Sequence, residues 1–297
     1  MLERYHLQIL RTVAKRGTIT AAAQELNLTQ SALSHAVKKL EQRFNVQIWQ
    51  KDGRNVRLSP AGTEILQLSK RLLPQFEYTE TRLAQIAKGE RGNLRIGMEC
   101  HPCYHWLLKV VKPFMHTFND VDIDVKQQFQ FGALGALLEY DIDMVITPDP
   151  LHHESIKYIK VFDYEHVLVV STEHALTNKQ HILPNDLSHE TLITYPVERE
   201  RLDIFSRFLT PAGGNVKQHK QIEATEIMLQ MVAAKRGVAA LPLWLVEDFQ
   251  AQLDICAIPF GPHRMQKSIF LGVRKKEIMP DYVSGFIEFA AHAQTHS

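Results

Sequence analysis

Residues Glu99, Cys100, His101, Pro102, Cys103, Tyr104 and His105 put two cysteines, two histidines and a carboxylate into seven consecutive positions. Thiolate and imidazole are the ligand types that zinc and copper prefer, so Cys100, His101, Cys103 and His105 could form a metal-responsive site. A Cys-His pair could equally serve as nucleophile and base. Neither chemistry is completed nearby: no second Cys/His cluster follows at zinc-finger spacing, Cys256 stands alone, and no third catalytic group is apparent. The remaining alternative is the wall of a small-molecule pocket. The segment leaves a strand-type run and enters a helix at Pro102, a favoured first helical position, so its backbone N–H groups could face a carboxylate. Further along, Tyr195, Arg199 and Arg201 offer an aromatic surface and two guanidinium groups that could hold the same kind of anion. A charged helix start would read the same way.

A second set of residues points to a different partner. From Thr29 onward the spacing of Leu33, Val37, Leu40 and Phe44 predicts a helix with an apolar inner face. Its outer face then carries Gln30, Ser31, Ser34, His35, Lys38 and Lys39. Such side chains, on a helix whose first amides can bind phosphate, suit a recognition helix in a DNA major groove. Two short strand patterns follow around Gly53, with Lys51, Arg54 and Arg57 at the tip and flanks, as in a basic wing on the DNA backbone.

Each set needs elements to hold it. Leu2, Tyr5, Ile9 and Val13 form the stripe of a first helix ending at Gly17, and Thr20 is the expected N-cap of a second, rich in alanine. From Thr63 to Ala87 a long three-and-four spacing predicts an extended helix, which Pro74 should kink or deprive of one hydrogen bond. Lys88 to Gly92 is a polar hinge. Beyond it, strand-type runs at 93–98, 122–129, 143–147 and 167–171 alternate with helical patterns, which argues an α/β domain with a mostly parallel sheet.

Whole-chain averages hide this division. The 297 residues suit two or more domains, and a net charge of +1 excludes a uniformly basic nucleic-acid coat. Residues 1–90 nevertheless carry 14 Lys and Arg against 8 Asp and Glu, a balance of +6, leaving −5 for the rest. No apolar run is long enough for a membrane span, and the start MLERYHLQIL does not read as a signal peptide, so a cytoplasmic location is expected. Three cysteines are too few, and odd in number, for a disulfide framework; they fit a reducing compartment.

The run AAAQELNLTQSALSHAVKKLEQRFNVQIWQKDGRNVRLSPAG, residues 21–62, resembles the winged helix-turn-helix of LysR-type transcriptional regulators. It departs at Asn45, where the family usually has Gly, and at Trp49 and Lys51, where it has Phe and Arg; Asn tolerates the left-handed conformation. The resemblance implies an α+β multidomain chain: a winged helix-turn-helix at 1–62, a dimerisation linker helix and hinge at 63–91, and a two-lobed, periplasmic-binding-protein-like α/β effector domain at 92–297. Lobe one would hold 92–162 and 268–297, and lobe two 163–267. Implied partners are double-stranded operator DNA, a small-molecule effector, a second or further copies in a homodimer or homotetramer, and RNA polymerase; no enzymatic activity and no cofactor are implied. Thr29, Gln30, Ser31, Ser34, His35, Lys38, Arg54 and Arg57 become the expected DNA contacts. Glu99, Cys100, His101, Thr147, Tyr195, Arg199 and Arg201 become the expected effector contacts. Segments 97–106, 162–165, 195–203, 230–234 and 237–242 look like the methionine-biosynthesis branch of the family, which implies homocysteine as effector and methionine-synthesis genes as targets. A regulator of another pathway is the alternative, as is the metal-responsive one.

Overall fold

Local signals set the first helices. Helix α1 (Arg4–Arg16) stops at Gly17, which takes the left-handed conformation at φ 76°. Helix α2 (Ile19–Glu25) is capped by Thr18, whose hydroxyl accepts from the Ala21 amide at 3.2 Å; the cap lies two residues before the expected Thr20. Helix α3 (Gln30–Phe44) is capped by Thr29 in the same way, and Asn45 closes it in the left-handed region at φ 51°. Ile9, Leu10, Val13, Ala22, Ala23, Leu33, Val37, Leu40 and Ile48 are buried together. Each large aliphatic side chain so buried contributes about 1.5–3 kcal/mol relative to exposure. Tyr5 and Phe44, expected on inner faces, are 36% and 52% exposed and belong neither to this core nor to the residues packed against it.

The computed structural model describes residues 1–52, 55–87, 92–126, 132–275 and 279–293. Arg54, the Gly53 turn, most of the hinge and the end of the 122–129 run lie outside them. Strands β1 (Trp49–Asp52) and β2 (Asn55–Leu58) pair antiparallel, Trp49 opposite Leu58 and Asp52 opposite Asn55. Helix α4 (Pro60–Ala87) continues through Pro74, which has no N–H and so deprives the helix of one hydrogen bond, as expected. Its start is fixed by Ser59, whose Oγ accepts from the Gly62 amide at 3.1 Å and donates to the Gln47 carbonyl. A Cβ on Gly62 would overlap the Ile48 carbonyl oxygen, so only glycine lets α4 approach the wing this closely. Arg4 and Arg11 of α1 grip Glu80 and Glu77 of α4 in forked ion pairs. Phe76, Leu83 and Ile86 of α4 remain exposed.

The chain divides into two units, Met1–Gly92 with Leu138–Asp141, and Asn93–Leu137 with Ile142–Ser297. In the second, the elements follow as β3 (Gly92–Met98), α5 (Cys103–Thr117), β4 (Val121–Lys126), α6 (Ala133–Leu138), β5 (Met144–Thr147), β6 (Ile156–Ser171), β7 (Thr191–Thr194), β8 (Gln218–Gln221), α7 (Thr225–Ala233), β9 (Val238–Pro242), α8 (Leu243–Gln250), β10 (Ile255–Pro259), β11 (Met265–Arg274) and α9 (Asp281–His292). One sheet runs β4-β3-β5-β11-β6-β9-β7-β8, with β10 on β6. The pairs β3/β5, β7/β8 and β7/β9 are parallel, as expected. The long strands β6 and β11 run antiparallel to each other and pass from one lobe to the other, so the sheet is mixed rather than mostly parallel. Lobe one packs Leu94, Ile96, Trp106, Phe114, Leu271 and Phe286 into one core. Lobe two fills both faces of its sheet, around Phe205 and Leu209 on one and Met228 and Leu245 on the other. The first half of β6 eludes a pattern search because Lys157, Lys160, Asp163 and Glu165 interrupt it.

Candidate functional site

A cleft of about 100 Å³, partly open to solvent, lies between the lobes. The carboxyl ends of β3 and β5 deliver Glu99, Cys100, His101 and Asp149, the end of β7 delivers Tyr195, the segment after it Arg201 and Asp203, and the crossover strands Tyr164, His166 and Lys267. Strand ends at a change of direction are where open α/β sheets bind ligands. Cys100 and His101 also border a second cleft on their other side, which Tyr104, His105, Glu223 and Glu226 complete.

The cleft carries both signs of charge. Burial pushes the Glu99 carboxyl above its ordinary pKa, opposed by hydrogen bonds from the Thr147 side chain and the Ala133 amide (3.2 Å) and by the Arg201 charge. Lys267, 9% exposed, reaches Asp149 at 2.9 Å and Asp203 at 2.5 Å, one carboxylate from each lobe. Burial lowers the His101 pKa and takes that of His166 down to about 4, so both rings are neutral near pH 7. The Tyr195 phenol is held protonated by burial and bonds Thr225 Oγ1 at 2.8 Å. On the flank of the cleft, His105 meets Glu226 at 3.4 Å and Lys109 meets Asp248 at 2.8 Å, linking α5 to α7 and α8. The cleft thus presents carboxylates, a guanidinium and an apolar wall of Ile204, Ala240 and Leu241 together.

Of the expected effector residues, Glu99, Cys100, His101, Tyr195 and Arg201 line this cleft. Thr147 stands behind Glu99 rather than on the surface, and Arg199 turns away to lie 4.1 Å over the Phe205 ring, satisfied by that aromatic face. Two readings of the turn are corrected. The Tyr104 and His105 amides donate to the His101 and Pro102 carbonyls, so these two donors are used within the turn rather than turned toward an anion. Cys100 and Cys103 form a disulfide, with Cα atoms 5.3 Å apart. A parity argument on the whole chain had set disulfides aside, but a pair three residues apart closes locally whatever the third cysteine does. The bond also takes both thiolates from the metal-responsive alternative, and among the described residues no group of three or more His, Cys, Asp and Glu is placed to hold an ion. Asp149, His166 and Lys267 were missed, whereas Tyr164 and Asp203 lie in the segments 162–165 and 195–203 noted above without being named as contacts. The one signal available for the first three was the position of Asp149 just past a strand end.

In the first unit Thr29, Gln30, Ser31, His35, Lys38 and Lys39 are exposed along one side of α3, Ser34 is half-buried, and Arg57 is exposed on β2. No helix among the described residues is long and apolar enough to cross a membrane.

Two family models match: the bacterial regulatory helix-turn-helix protein of the lysR family over residues 5–63, and the LysR substrate binding domain over residues 87–295. The HTH-type transcriptional regulator MetR of Escherichia coli is 36% identical over 297 residues, covering 100% of this chain and 92% of that protein. The MetR of Haemophilus influenzae is 29% identical over 97% of this chain and 93% of its own length. Among solved structures, the regulatory domain of a MetR from N. meningitidis, a LysR family regulator, is 30% identical with a TM-score of 0.62, covering 68% of this chain and 93% of that one. A second structure of that domain is a mutant in which two cysteines are replaced by serine. Full-length CbnR complexed with its target DNA, 19% identical, shares the fold at a TM-score of 0.64 over 98% of this chain and 100% of that one. With both models matched in order along a winged helix-turn-helix and a two-lobed α/β domain, the chain belongs to the LysR family of transcriptional regulators.

Proposed function

We propose that this regulator controls methionine-biosynthesis genes and takes homocysteine as its effector in the interlobe cleft. The observation that carries the ligand class is the pairing of Glu99 with Arg201, close enough for the guanidinium to act on the carboxyl, beside the sulfur of Cys100 and an apolar wall. Glu99 and Asp149 receive the ammonium, Arg201 the carboxylate, and the two-carbon thiol arm lies toward Cys100. The similarity to MetR proteins supports homocysteine over other amino acids. A ligand that favours one arrangement of the lobes shifts the population toward it, and the coupling passes to the DNA-binding portion.

On DNA, Gln30, Ser31, Ser34 and His35 read base edges, the α3 start at Thr29 binds phosphate, and Lys38, Arg54 and Arg57 neutralise the backbone. The exposed apolar stripe of α4 pairs with a second copy, one half-site is read per winged domain, and RNA polymerase is met at the promoter. The domain limits are 1–62, 63–91 and 92–297, with lobes at 92–162 plus 268–297 and at 163–267. Homocysteine should raise the melting temperature of the full-length protein and change its footprint on a methionine-gene promoter, while homoserine does neither. No change in either measurement overturns the effector.

A further inference from the structure

Resting on homocysteine as the effector, we propose that its thiol opens the Cys100–Cys103 disulfide and is held on Cys100 as a mixed disulfide. The two sulfurs are not equivalent. Cys100 borders both clefts beside His101, whereas Cys103 is fully buried and borders neither. A thiol arriving through the cleft therefore meets Cys100. Cys103 is the first residue of α5, a helix of 15 residues, and the amide end of a helix stabilises a thiolate, which makes Cys103 the better leaving group.

The step balances without an outside oxidant. Homocysteine reacts as its thiolate, its proton having gone to solvent. Its sulfur forms a bond to Cys100 Sγ as the Cys100–Cys103 bond breaks, and the electron pair leaves on Cys103 Sγ. The disulfide is transferred, not consumed. The reverse step is built in: Cys103 attacks Cys100 Sγ and expels homocysteine, so occupancy follows the effector concentration.

The exchange also has a route to the rest of the domain. The disulfide staples the turn that holds His101, and His101 stacks on Tyr195 of the other lobe with ring centroids 4.5 Å apart. Opening the staple loosens the His101–Tyr195 contact between the lobes, so a chemical event at Cys100 biases the interlobe equilibrium.

The test uses full-length protein carrying the disulfide, exposed to homocysteine, to homoserine and to 2-mercaptoethanol at matched thiolate concentration. The reactions are quenched with acid, alkylated and mapped by peptide mass. Homocysteine is expected on Cys100 with an alkylated Cys103, forming at least about tenfold faster than opening by 2-mercaptoethanol because the cleft holds its thiolate in place. Homoserine should leave the disulfide intact. Arg201→Ala should remove the rate advantage of homocysteine over 2-mercaptoethanol. A melting shift with homocysteine but an intact disulfide overturns the exchange and spares the effector, as does opening no faster than by 2-mercaptoethanol. Absence of both shift and adduct overturns the effector as well.

Discussion

The His101 imidazole lies flat against the Tyr195 phenol, with centroids 4.5 Å apart and planes inclined by 14°. His101 comes from the β3–α5 turn of lobe one and Tyr195 from the end of β7 in lobe two, so one ring pair spans the cleft. The Tyr195 hydroxyl is anchored by Thr225, which fixes the phenol plane before any ligand arrives. Tyr195→Phe should keep the stack and cost about 1 kcal/mol for the lost hydrogen bond. Tyr195→Ala should cost about 3 kcal/mol or more and abolish the homocysteine-induced melting shift. Chemical denaturation and thermal shift of the two variants check this; equal losses in both would show that the stack contributes nothing.

Lys267 joins the lobes by charge, bridging Asp149 and Asp203. Lys267→Met leaves two carboxylates near each other with no cation between them, and should cost about 3 kcal/mol at neutral pH. Part of that loss should return as acid protonates one of the pair. A Lys267→Met protein with unchanged stability from neutral to mildly acid pH would refute the latch.

Two groups set a pH dependence. His166 is neutral in the fold with a pKa of about 4, against about 6.5 when unfolded. The unfolded chain therefore binds more protons between those values, and stability should fall as pH drops from 6.5 to 4. Glu99 has the opposite shift: its pKa is raised by burial, so its proton is retained to higher pH than in the unfolded chain. Because an ammonium needs the ionised form, homocysteine affinity should weaken as pH falls through that raised pKa. Glu99→Gln should bind weakly at every pH and lose this dependence, as titration calorimetry would show.

Gly62 and Gly135 make a matched pair of substitutions. A methyl on Gly62 overlaps the Ile48 carbonyl, whereas one on Gly135, within α6, meets nothing within 4 Å. Gly62→Ala should destabilise the first unit by about 2 kcal/mol or more, and Gly135→Ala should be neutral or stabilising by up to about 1 kcal/mol. Circular dichroism melts of both would expose an error in the α4–wing approach.

On DNA, Arg57→Ala and Arg54→Ala should weaken all duplexes about equally and reduce the salt slope by about one unit each. Gln30→Ala should instead cost about 1–3 kcal/mol on the operator and little on random DNA. A selective loss for either arginine would contradict its assignment to phosphate.

The first unit was legible in the sequence because its determinants are short-range. Caps at Thr29, left-handed closures at Gly17 and Asn45, and three-and-four spacing all act within a turn or two of helix. Where that reading slipped, the α2 cap fell two residues before Thr20, and at Tyr5 and Phe44 the error was a matter of which neighbours were present to cover a face. The cleft was legible only in part. Glu99, Cys100 and His101 stand together in sequence, and Tyr195 and Arg201 lie in one short segment. Lys267, however, meets partners 118 and 64 residues away, and nothing in its own surroundings along the chain marks it. The sequence by itself determined helices α1 to α3, the β1/β2 pair and the alternating strands and helices that follow, since periodicity and capping need no distant partner. Tertiary structure alone decided that β6 and β11 carry the chain between lobes, that Arg199 faces Phe205 while Arg201 faces the cleft, and that one lysine joins two carboxylates across it. Those outcomes depend on desolvation and charge pairing between residues that meet only when the sheet has assembled.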